Sequence, residues 1–242
     1  MSLIEIRKVE NKKDLKTFID FHYDLYEGNE YDVPNLFSDE MNTLSKDRNA
    51  AFEFCESEYF LAYKDGKLAG RVAAIINHKA NERWNCKSVR FGWIDFIDDR
   101  EVSKALLQAV EDYGKSKGMD NVVGPLGFTD MDPEGMLTWG FDQLGTMPTI
   151  YNYSYYPEHI EALDGYEVDN KYVEYKLIVP DTVPEKYAKI AAMIEKRYNL
   201  HVRKLTKKDV FQGGYGQKIF ELINATYKDL YGYSELSQKQ ID

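Results

Sequence analysis

Two cysteines, Cys55 and Cys86, are all that 242 residues carry, too few for the disulfide framework that staples small secreted domains. Neither has a neighbour that would activate its thiolate, so both read as small hydrophobes. No window approaches the roughly 18 apolar residues that cross a bilayer. The opening MSLIEIRKVENKK turns charged before a signal segment could form. These absences predict a cytoplasmic protein with no membrane partner. Histidine is scarce: His22, His78, His159 and His201 stand far apart with no H-x-x-x-H or Cys/His pairing, so no metal site is expected. His22 falls on the apolar face of a helix and reads as a packed core histidine. Without a G-x-S-x-G element, a serine hydrolase has no support. Basic residues are outnumbered, 31 Lys and Arg against 41 Asp and Glu, and the net charge of −10 repels a nucleic-acid backbone.

Aromatic residues are plentiful, with 19 Tyr and 12 Phe, and 43% of the chain is hydrophobic, enough for a sizeable core. Leu3 to Val9 alternates as a strand, and Asp14 is placed to cap a helix along Leu15, Phe18, Ile19, His22 and Leu25. YFLAY and LAGRVAAIINH read as strands of a hairpin turning at Lys64-Asp65-Gly66-Lys67. Asn81 to Ser88 reads as a turn and VRFGWIDFI as the next strand. The spacing of Val102, Ala105, Leu106, Ala109, Val110 and Tyr113 predicts a helix over Val102 to Lys117, closed by Gly118. NVVGPLG follows as a short strand, then a Tyr-rich run, a short helix from Pro157, a strand over Lys171 to Val179 and a helix over Glu185 to Tyr198.

A short internal similarity links the two ends. Ile4 to Leu15 reads IEIRKVENKKDL and Leu200 to Val210 reads LHVRKLTKKDV, and an Asp-Leu-Tyr follows each, at Asp24-Leu25-Tyr26 and Asp229-Leu230-Tyr231. Two readings stand: an internal repeat, or chance likeness of two strand–helix junctions. The repeat reading divides the chain into a domain at 1–180 and a segment at 181–242. That segment holds a linker helix plus the first strand and helix of a second copy, which ends at Asp242. Gly213-Gly214-Tyr215-Gly216 lacks the Lys-Ser/Thr ending of a phosphate loop and is read as a connection.

The order of elements over 3–179, with YFLAYKDGKLAGRVAAIINH, RFGWIDFIDDREVSKALLQAV, GPLGF, YYPEHIEALDGYE and KYVEYKL, resembles the GNAT acetyltransferases, and within them a bacterial branch built as two such domains in tandem. The resemblance implies an α/β fold: a GNAT-like mixed, mostly antiparallel central sheet flanked by helices. It also implies acetyl-CoA as acyl donor, coenzyme contacts at Phe96, Ile97, Arg100, Val102 and Ser103, and a small-molecule or peptide amine as acceptor. Asp95 on the central strand stands where a catalytic carboxylate is found in such proteins. Tyr155 or Tyr156 replaces a tyrosine whose usual position holds Glu161. Oligomerisation is left open.

One departure from the family pattern matters. The family's phosphate loop, Q/R-x-x-G-x-G/A, falls here on Asp98-Asp99-Arg100-Glu101-Val102-Ser103, with acids where Gln or Arg and the first Gly belong. A phosphate needs the amide hydrogens of a helix start. The spacing of Asp98 and Glu101 predicts a capping box that takes them instead, while Arg100 offsets part of the charge. The expected function is therefore acyl-CoA-dependent N-acyl transfer with a degenerate pyrophosphate loop. The alternative is a catalytically inactive ligand-binding or dimerisation module of the same fold.

Overall fold

The computed structural model describes residues 3–241. Its centre is a five-stranded sheet in sequential order: β1 (Ile4–Lys8), β2 (Cys55–Lys64), β3 (Lys67–Asn77), β4 (Ser88–Phe96) and β5 (Asn121–Val123). The first four strands pair antiparallel, and β5 runs parallel to β4. The β2–β3 turn is made by Asp65 and Gly66 at φ of +50° and +79°, the left-handed pair that suits the twist of a two-residue hairpin.

Alternation along the strands feeds two cores. Phe60, Ala62, Val72, Ala74 and Ile76 face α4 (Arg100–Ser116), which buries Val102, Leu106, Leu107 and Val110 against them. Tyr59, Leu61, Ala73 and Ile75 face α1 (Lys12–Leu25) and α2 (Phe37–Leu44), meeting Leu15, Phe18, Ile19, Met41 and Leu44. The register between β3 and β4 slips between Arg71 and Ala73, whose partners are Asp95 and Gly92. The extra residue is a bulge in β4 with Trp93 at φ +44°, a conformation that costs a bulky side chain on the order of 1–3 kcal/mol. Just before it β4 touches the chain leaving β5: a Cβ on Gly92 would lie 2.5 Å from the carbonyl oxygen of Leu126.

Several expectations change. α1 is capped by Asn11, whose side chain accepts from the amides of Lys13 and Asp14, rather than by Asp14. Within Asn81 to Ser88, read as a turn, lies the end of α3 (His78–Trp84), started by Asn77. Lys171 to Val179 has the alternation of a strand but joins no ladder and stays exposed. Alternation alone cannot make a strand without an edge to pair with, and β5 offers only three residues. Leu200 to Leu205 likewise forms no strand. The expected short helix is α5 (Tyr155–Glu161), and α6 (Glu185–Tyr198) forms where the spacing puts it.

Three helices follow: α7 (Lys207–Phe211), α8 (Tyr215–Tyr227) and α9 (Gln238–Ile241). The run before α9 docks on the sheet end away from α4's start. There Trp84 Nε1 donates to the Tyr233 carbonyl at 3.1 Å, and Tyr233 is fully buried. No helix among the described residues is long and apolar enough to cross a membrane.

Candidate active site

Two neighbouring strands each carry one charge into the interior. Arg71 of β3 and Asp95 of β4 are register partners, 4% and 5% exposed. Arg71 Nε and Nη2 each donate to Asp95 Oδ2 at 2.7 Å, and Nη1 donates to the Phe18 carbonyl at 3.0 Å. α1 adds His22, whose Nδ1 lies 3.1 Å from the same Oδ2 and whose Nε2 lies 3.4 Å from Asp32 Oδ2. The Tyr156 hydroxyl donates to Asp95 Oδ1 at 3.1 Å and accepts from the Phe96 amide at 3.1 Å and the Tyr26 hydroxyl at 3.0 Å.

These contacts set the charges. Burial alone would push the Asp95 carboxyl up, but the charges and hydrogen bonds of Arg71 and His22 hold it at about 2. Burial alone would lower His22, yet the Asp95 charge and hydrogen bonds to Asp32 and Asp95 raise it to about 9. Burial and the Asp95 charge push the Tyr156 hydroxyl well above its ordinary range. At neutral pH the cluster is a carboxylate, an imidazolium, a guanidinium and a neutral phenol.

The cluster forms the polar wall of a cavity of about 130 Å³. Ile19, Ile94, Met136, Met147 and Ile150 supply apolar wall, and Asp32 and Glu40 add carboxylates. Glu40 is held by the indole of Trp93 at 2.7 Å and the amide of Asn35 at 3.1 Å. With His22 protonated, three carboxylates face two cations, so the wall carries one excess negative charge.

The acids that open α4 divide the work differently from the expected capping box. Asp99 is the cap: its Oδ1 accepts from the amides of Glu101 at 3.0 Å and Val102 at 3.4 Å. Its other oxygen is paired with Lys64. Despite some burial, those contacts hold Asp99 below the usual carboxylate range. Asp98 instead meets His159 Nε2 at 3.0 Å, and the opposite ring nitrogen of His159 meets Ser103 Oγ at 3.1 Å. α5 thereby closes over the start of α4, and Phe96 stacks with Tyr156 at a centroid distance of 4.2 Å. The Tyr155 hydroxyl donates to the Phe96 carbonyl at 2.7 Å.

No protein-family model matches the chain. It is 34% identical over 161 residues to Protein YghO of Escherichia coli, and 25% identical over 241 residues to a protein named bacterial ceramide synthase from Caulobacter vibrioides. Those matches take in 66% and 98% of this chain, but only 41% and 61% of the relatives' own lengths. Among solved structures, the aminoglycoside acetyltransferase AAC(6')-Iy, in complex with a bisubstrate analogue, matches at 18% identity. That match covers 74% of this chain and 100% of the other, with a TM-score of 0.44. A tandem GNAT protein from the clavulanic acid biosynthesis pathway matches at 11% identity over 48% of this chain and 34% of that one, with a TM-score of 0.37. Four antiparallel strands, a bulged fourth strand parallel to the fifth, and a helix joining those two give the architecture that the sequence resemblance implies. The fold is GNAT-like.

A GNAT-type coenzyme would lay its diphosphate on the start of α4, and the residues there do not fit it. The Asp99 carboxylate already takes the amides of Glu101 and Val102, Ser103 is 1% exposed and bonded to His159, and Phe96 has both backbone groups engaged by Tyr155 and Tyr156. Of the expected coenzyme residues, Val102 is also buried, and the Ile97 amide is spent on the Ala69 carbonyl at 3.0 Å. Arg100 begins the helix. Among the described residues no group of three His, Cys, Asp or Glu is arranged to hold a metal.

Of the expected catalytic residues, Asp95 and Tyr156 are brought into contact. With its carboxyl held at about 2 by Arg71 and His22, Asp95 is ionised at neutral pH and binds a proton only weakly. Tyr155 lies off the cluster, on the Phe96 carbonyl. His22, read as core packing, is the group the reading missed, together with Arg71, Asp32 and Glu40. The available signal was a lone Arg in LAGRVAAIINH and a lone Asp in FGWIDFI, because a charge inside an apolar strand must find a partner.

Proposed function

We propose that the protein transfers an acyl group from a thioester to a primary amine bound beside His22. The observation that carries this reading is the cavity at the bulged end of β4. It combines a paired Asp95–Arg71 anchor, a titratable imidazole and an apolar lining. Its one excess negative charge favours a cationic guest, and an ammonium is the simplest such guest that also fits an acyl-transfer fold. The relative named as a ceramide synthase supports an acceptor class, since a ceramide is the amide of a long-chain amino alcohol. The apolar lining is compatible with the amine end of such a molecule. The likeness of the two ends of the chain fits a tandem arrangement: Asn11 with Asp14 and Thr206 with Asp209 start their helices in corresponding ways, each Asp folding back on its cap.

The capped start of α4 favours a second reading, a module that holds an amine without transferring to it. Both are tested by offering the protein a long-chain amino alcohol, an aminoglycoside and a lysine peptide with two donors. One donor is an acyl-CoA; the other is an acyl-N-acetylcysteamine thioester, which lacks the nucleotide and its diphosphate. Thiol release with amide formation, at least with the truncated donor, supports transfer. Amine-dependent thermal stabilisation without thiol release from any pair leaves the binding module.

A further inference from the structure

The cavity lining holds one imidazole, His22, beside the space an amine would fill. His22 lies on α1, with one ring nitrogen against Asp95 of β4 and the other against Asp32 of the α1–α2 loop. The groups facing it from other elements are Arg71 of β3, Glu40 of α2 and Tyr156 of α5. From its own helix come Tyr23 and Tyr26, the Tyr26 ring at a centroid distance of 4.6 Å. Asp95 is fastened by Arg71 and Tyr156, so the Nδ1 side of the imidazole is fixed. The Nε2 side meets Asp32 by a longer contact, 3.4 Å against 3.1 Å, and this is the side a guest can displace.

We propose that His22 is the proton acceptor for the amine, taking the proton at Nε2, with Asp95 as the positioning residue behind it and Asp32 as the counter-charge that an incoming ammonium shares. The proposal rests on the acyl-transfer reading above. The step balances as follows. Neutral His22 removes one proton from the ammonium, and the freed nitrogen lone pair attacks the thioester carbonyl carbon. The C–N bond forms, the C–S bond breaks, and the nitrogen's second proton leaves with sulfur as a thiol. His22 then returns its proton to solvent. The acyl thioester is the only co-reactant needed.

A proton already on His22 must leave when a cationic amine arrives, which gives a readout free of turnover. Calorimetry of amine binding at pH 7.5, in buffers of different ionisation enthalpy, should report about one proton released per amine bound by the native protein and none by His22→Gln. In turnover with the truncated thioester, His22→Gln should lower kcat about 100-fold, leave the donor KM unchanged and abolish the rise of kcat/KM towards pH 9. Asp32→Asn should keep that rise but move it down by about one pH unit, because the imidazolium loses a counter-charge. Folding of both variants is checked by their cooperative melts. Proton release that persists in His22→Gln, or a pH rise unmoved in both variants, overturns the assignment while native turnover leaves the acyl-transfer reading standing. Absence of turnover by the native protein with every pair removes that reading, and the assignment with it.

Discussion

The ion cluster should make the protein lose stability on the alkaline side, and the size of the loss follows from the geometry. His22 binds its proton at about 9 in the folded chain against an ordinary 6.5. A group whose affinity is raised by folding contributes stability that is complete below the unfolded value and disappears as pH climbs through the folded one. The difference corresponds to about 3 kcal/mol, lost between pH 6.5 and roughly 9.5. The depressed value of Asp95 reflects the same interaction seen from its partner and is not added to this figure. The Asp95 contribution sits at the other extreme, present above about pH 4 and lost towards pH 2. The assay is urea unfolding at pH 6.5, 8 and 9.5 for the native protein and for His22→Gln. The native curve should fall by about 3 kcal/mol more than the variant's across that interval. Parallel curves would refute the reasoning, because His22 would then have no privileged hold on its proton.

Three further outcomes follow from particular contacts. Asp99→Gly should cost α4 only about a few tenths of a kcal/mol of capping while tightening binding of an acyl-CoA, measured by calorimetry; unchanged affinity would mean that the carboxylate does not obstruct the helix start. Gly92→Ala places a Cβ 2.5 Å from a backbone carbonyl oxygen, so its urea midpoint should drop by the equivalent of about 2 kcal/mol or more. A thiol reagent should modify Cys86 alone in the native protein and both cysteines in urea, because Cys86 is exposed while burial pushes the Cys55 thiol up to about 12; two fast equivalents under native conditions would contradict this.

The sheet was legible where patterns are local. Asp65-Gly66 dictates a turn whatever surrounds it, and the apolar spacing of α4 and α6 needs only the residues themselves. Caps were less legible, since Asn11 and Asp14, or Asp98 and Asp99, offer similar acceptors within a few residues of one another. Only the exit angle of the preceding chain decides between them. Lys171 to Val179 failed for the opposite reason, as a strand pattern is a statement about a partner. His22 was misread because helical spacing shows which face a residue occupies but not what waits on the far side. That was Asp95, 73 positions away.

The left-handed turn at Trp93 does more than bend a strand. Val89 and Phe91 before it, and Ile94 and Phe96 after it, all look towards α4, a pairing of odd with even positions that an unbroken zigzag forbids. By spending one residue out of step, the strand changes parity and sends Asp95 to the opposite side, where Arg71 waits. Straightening the strand without removing that residue would carry the zigzag on unbroken and turn a carboxylate into the hydrocarbon beneath α4. The chemistry of the cavity thus depends on a miscount of one.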